Sequence, residues 1–135
     1  MKYYTIKTKE NTQMIIKEVN AEIASYGFSL SEEDYQFLLA KQKELYTHYN
    51  LIDLDTTIIK VIAMTVNKSP YIRQSNYVDL IVHFLDLFYA CRKQIGTLHY
   101  DDEIIYTLYQ IYLLHYGEIS TKLLYDTLKI LQEKL

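Results

Sequence analysis

The sequence predicts an all-α fold, a single-domain bundle of about six helices, and three observations predict it. The stretch from Tyr77 to Cys91, YVDLIVHFLDLFYAC, is apolar on nearly every side of the helix its spacing implies, so it needs neighbours on several sides. Three glycines and one proline are the strong breakers, and each falls between periodic segments. At 135 residues, half of them apolar, the chain suits one compact core spanning 1–135.

Taken in order, Lys2 to Lys9 has no helical periodicity, and residues 1–9 read as a tail or a short strand. From about Asn11 to Tyr26, a stripe of Ile16, Val19, Ile23 and Tyr26 predicts an amphipathic helix that Gly27 stops. Ser31 and Asp34 then have the spacing of a capping box, with Leu30 placed to staple against Tyr35. The second helix runs from there to about Tyr49, with Tyr35, Leu38, Leu39, Leu45, Tyr46 and Tyr49 inward and Lys41, Lys43 and Glu44 outward. A third begins at Asp53 or Asp55, carries Ile58, Val61, Ile62 and Val66, and ends near Lys68 before Pro70. Its β-branched content would also suit a strand, but the apolar spacing of three and four favours a helix.

The fourth and fifth helices, about 74–95 and 101–116, form the predicted core hairpin, separated by Gly96 and ended by Gly117. In the fourth, Asn76, Asp79, His83, Asp86 and Lys93 recur along one narrow polar line. In the fifth the polar line is Glu103, Thr107 and Gln110. Ser120 or Thr121 caps the sixth, whose stripe is Leu124, Leu128, Leu131 and Leu135.

Composition excludes several classes of function. A net charge of −3 lacks the clustered basic excess of a nucleic-acid binder. A helix-turn-helix over Thr57 to Val82 would have only Lys60, Lys68 and Arg73 to hold phosphates. No apolar run approaches the roughly 20 residues of a membrane span. The start of the chain lacks the order of a secretory signal, and the single Cys91 forms no internal bridge, so a reducing cytoplasm is the expected compartment. Fifteen tyrosines and no tryptophan suit an interface. AT-rich codon usage would give the same count.

Catalytic motifs are sparse. Glycine-dependent phosphate loops cannot be written with Gly27, Gly96 and Gly117, and one cysteine with four scattered histidines fits no standard zinc pattern. Cys91 reads as a small buried hydrophobe, near the helix end where the dipole disfavours a thiolate. The acidic triplets at 32–34 and 101–103 sit where a helix N-terminus favours carboxylates. One constellation suits chemistry: Asp79, His83 and Asp86 share one side of a helix, where they could ligate a divalent cation or pair as carboxylate and imidazole. A solvated face explains them as well.

The order Leu30-Ser31-Glu32-Glu33-Asp34, then Ser69-Pro70-Tyr71-Ile72 leading to Tyr77, then Asp86-Leu87-Phe88-Tyr89 and Asp101-Asp102-Glu103 resembles a family of small uncharacterised helical proteins from Firmicutes. The resemblance covers roughly Phe28 to Leu131 and implies no catalytic residue, cofactor or substrate. The expectation is therefore a non-enzymatic helical protein-interaction module without a cofactor, binding another protein or a second copy of itself. A face with Tyr35, Tyr46 and Tyr49 is the candidate contact surface. The alternative is a small-molecule or divalent-ion binder, or an enzyme, working in a cleft beside Asp79, His83 and Asp86.

Overall fold

The computed structural model describes residues 2–51 and 57–133, with side chains from residue 13 onward. Among these residues six α-helices follow one another: α1 Lys2–Ile23, α2 Glu32–His48, α3 Thr57–Val66, α4 Tyr77–Ile95, α5 Asp101–Leu114 and α6 Thr121–Glu133. Single 3-10 turns extend α1 (Ala24–Tyr26) and precede α4 (Gln74–Asn76). There is no strand among the described residues, so α3 takes the helical reading. The predicted third-helix start at Asp53 or Asp55 lies outside the described residues.

Helix α4 is the axis of the bundle, touching α2, α3, α5 and α6. Its Tyr77, Leu80, Ile81, Phe84, Leu85, Phe88, Tyr89, Cys91 and Ile95 are buried, while Asn76, Asp79, His83, Asp86 and Lys93 are exposed. The chain thus lays α2, α3, α5 and α6 around α4 and leaves the predicted polar ribbon in water. Fully burying such a large apolar side chain is worth about 1.5–3 kcal/mol, which explains why the greasiest helix sits at the centre.

Helix ends follow local chemistry. Ser31 Oγ accepts from the Asp34 N–H at 3.0 Å while Asp34 Oδ2 accepts from the Ser31 N–H at 3.0 Å, the reciprocal box the sequence predicts. Three helix ends share one C-terminal motif. A residue in the left-handed region stands at Gly27 (φ 83°), Asn50 (φ 55°) and Tyr116 (φ 57°). In each case the next N–H reaches back five residues: Phe28 to the Ile23 carbonyl, Leu51 to Tyr46 and Gly117 to Tyr112. Glycine and asparagine are the residues this position favours, and tyrosine is not.

Three expectations are corrected. Helix α1 begins at Lys2, so residues 2–9 are neither tail nor strand. That stretch carries no apolar stripe to advertise a helix, but neither glycine nor proline interrupts it before Gly27. In α6 the buried positions are Leu123, Thr127 and Leu131, with Leu124 and Leu128 only half-buried and Leu135 outside the described residues. The Thr127 hydroxyl donates to the Leu123 carbonyl at 2.8 Å, so a polar residue can occupy the inner stripe. In α5, Thr107 is buried rather than part of a polar line, its hydroxyl donating to the Glu103 carbonyl at 2.8 Å. No helix among the described residues is long and apolar enough to cross a membrane.

Candidate functional site

Asp79, His83 and Asp86 lie on the exposed ribbon of α4. Asp86 is engaged: its Oδ1 accepts the Tyr49 hydroxyl at 2.6 Å. Burial first, and then the Asp86 carboxylate, push the Tyr49 hydroxyl up to about 12. A shallow groove of about 200 Å³ runs beside this pair, bordered by His83, Ser120 and Thr121. Among the described residues, no group of three or more His, Cys, Asp or Glu side chains could hold a metal ion.

The three candidate contact tyrosines are not on one open face. Tyr35 is 0% exposed and its hydroxyl has no hydrogen-bond partner among the described residues, so it is a core ring and cannot meet a partner. Its place on the inward stripe of α2, directly after the capping box, decides this. Tyr46 is half-buried and meets Tyr89 edge-on, with centroids 5.0 Å apart. Tyr49 is half-buried against Asp86 and His48. Cys91 is wholly buried, which pushes its thiol up to about 12 against the opposing pull of Arg92.

Two other features stand out. The first is a cleft of about 580 Å³ where the C-terminal end of α4 meets α2, α3 and the α4–α5 link. Its walls are Tyr46, Leu51, Ile58, Phe88 and Tyr89, and Arg92, His99 and Asp101 stand at one end. That end is cross-braced. The Arg92 Nη1 donates to the Gly96 carbonyl and, at 2.9 Å, to that of His99, and Nη2 donates to the Asp101 carboxylate. Buried His99 directs Nδ1 at the Glu103 carboxylate and donates from Nε2 to the Leu131 carbonyl at 2.7 Å, tying the link to α6. Sequence reasoning passes over this cluster as a connection. The signal available was weak: an arginine one turn before a glycine stop, and a histidine just beyond it.

The second feature is the α5 hairpin, the stretch from Leu98 in the α4–α5 link through α5 to Tyr125 in α6. Leu98, Tyr100, Tyr106, Leu114, Tyr116 and Tyr125 are each more than 60% exposed, a degree that elsewhere among the described large hydrophobic side chains only Met14 reaches. Tyr116 is 82% exposed and also holds the unfavoured left-handed backbone. Periodicity does not separate these rings from core tyrosines, because buried Tyr109 and Tyr112 occur in the same run.

The model of a family of unknown function, DUF6323, matches residues 15–134. The chain belongs to that family. No curated protein and no solved structure matches the chain. Membership of DUF6323 agrees with the expected kinship to uncharacterised helical proteins, and it brings no catalytic residue with it. Within this DUF6323 chain, the matched segment includes both the cross-braced cleft and the exposed aromatic hairpin.

Proposed function

We propose that this chain is a non-enzymatic protein-interaction module whose contact face is the α5 hairpin, and that a second copy of the chain is its partner. The observation that carries this reading is the concentration of strongly exposed large side chains between Leu98 and Tyr125. Exposed aromatic surface costs solvation that burial in an interface would recover, and tyrosine is enriched at such interfaces. The net charge of −3 favours a protein over nucleic acid as the partner.

Tyr116 supports the same face. A left-handed tyrosine costs about 1–2 kcal/mol relative to a residue suited to that backbone, and strained residues cluster where a surface has a task. Sedimentation equilibrium is the test. The wild type forms a concentration-dependent dimer, while Tyr116→Asn melts higher and associates more weakly, separating the fold's requirement from the partner's. A wild type that stays monomeric at the highest attainable concentration rules out the second copy as partner.

A further inference from the structure

The structure assigns a second site to this chain: the cleft at the C-terminal end of α4 binds a small amphiphile whose aromatic or alkyl body lies on Phe88 and Tyr46 and whose single anionic group meets Arg92. This goes beyond the protein-interaction reading: the cleft shares Tyr100 with the proposed contact face, but Tyr46, Phe88 and Arg92, which would hold the ligand, are not part of that face.

The volume, about 580 Å³, is that of a cleft for a drug-sized molecule, and the walls are mainly apolar with a few polar groups gathered at one end. Those polar groups differ in what they have left to offer. Both ring nitrogens of His99 are taken, one by Glu103 and one by the Leu131 carbonyl. A guanidinium has five N–H groups, and Arg92 uses three of them on Gly96, His99 and Asp101. Two remain, Nε–H and one on Nη2, without a partner among the described residues.

The guanidinium also lies 5.7 Å from the centre of the Phe88 ring, so its charge and the apolar floor adjoin. Its side chain is only 17% exposed, whereas that of its partner Asp101 is 42% exposed. A carboxylate or sulfonate entering the cleft therefore meets a largely desolvated cation whose existing counter-ion faces water, and the two acids can share it. A planar fork with spare donors suits such bidentate recognition of an anion. A neutral ligand would leave the two donors unpaired once it displaced water from them.

Anilinonaphthalene sulfonate and its uncharged counterpart phenylnaphthylamine share an aromatic body and differ in the anion, which makes them suitable probes. The expected result with the native wild type is saturable one-to-one fluorescence enhancement by the sulfonate, with at least about tenfold tighter binding than the neutral probe, the factor expected of one charge-assisted contact. Thr97→Trp places a bulky ring at the exposed mouth and should weaken both probes. Arg92→Met should abolish the preference for the sulfonate while retaining the neutral probe. If Arg92→Met fails to fold, the wild-type ratio of the two probes and the Thr97→Trp variant still decide the matter. Sulfonate binding undiminished by Thr97→Trp, equal affinity for the two probes, or no saturable binding would each overturn the assignment.

Discussion

The side-chain amide of Asn20 holds both backbone groups of Leu30: Nδ2 donates to the Leu30 carbonyl at 2.8 Å, and Oδ1 accepts the Leu30 N–H at 2.8 Å. Gln74 does the same for the preceding residue, with its amide bonded to the Ser29 N–H and carbonyl at 2.9 Å each. The link between α1 and α2 has no ladder of its own, and its backbone groups still need partners. Two amides, one from α1 and one from the turn before α4, supply them.

Asn20→Ala should therefore lower stability by about 1–3 kcal/mol, since Leu30 is buried and both of its backbone groups lose their partner. Asn20→Asp should not rescue the loss, because a carboxylate can accept from the N–H but cannot donate to the carbonyl. Gln74→Ala, at an exposed position, should cost less than about 1 kcal/mol. Urea unfolding of the three variants checks the order.

Buried tyrosines divide by what their hydroxyls do. The Tyr77 hydroxyl donates to the Ala63 carbonyl at 2.7 Å and that of Tyr112 pairs with Ser69 at 2.9 Å, but the Tyr35 hydroxyl is buried without a partner among the described residues. Tyr35→Phe is expected to be neutral or to stabilise by about 1 kcal/mol, and Tyr77→Phe to destabilise by about 1 kcal/mol. Equal losses in the two variants, read from denaturant midpoints, would refute the division.

The central helix was legible because its apolar residues occupy more than one face, and no position on a surface helix needs that. Other features were illegible for identifiable reasons. Thr127 disguises the inner stripe of α6 by satisfying its own hydroxyl, and the featureless start of α1 offers no period to detect. The cleft joins Tyr46, Ile58 and His99 from three segments, which no local pattern connects. Tyr35 suits an interface because tyrosine tolerates both settings, and its inward place on the α2 stripe is what buries it.

Alkaline pH should unfold the protein earlier than its composition suggests. Burial raises the Cys91 thiol from 9.0 to about 12, and burial likewise raises Tyr35, Tyr77, Tyr109 and Tyr112 above their ordinary 10.0. The folded chain keeps these protons when the unfolded chain has lost them. Their contribution is thus complete below about pH 9 and declines as the pH rises towards about 12. Denaturant midpoints should fall over that window, and Cys91→Ala should fall less steeply. Iodoacetamide should label Cys91 only as fast as the chain opens, because the native thiol is both buried and protonated.

Gly117 offers a way to separate backbone strain from steric collision. Its φ is 80°, and a Cβ there would lie 2.6 Å from Cγ and 2.7 Å from Cβ of Tyr71, the inner end of that side chain, which cannot swing clear without moving the backbone. Gly117→Ala carries two penalties: the left-handed cost of about 1–2 kcal/mol and the collision. Truncating the ring in Tyr71→Ala leaves the first untouched and removes the Cγ and Cδ2 contacts of the second, while the 2.7 Å approach to Cβ of residue 71 remains. The double variant should accordingly lose less stability than the two single variants together, with a coupling of about 1 kcal/mol or more. Strict additivity would mean that the loop around Pro70 yields freely, and that Tyr71, whose ring also meets Tyr112 edge-on at 6.1 Å, does not fix the approach of the α5–α6 link.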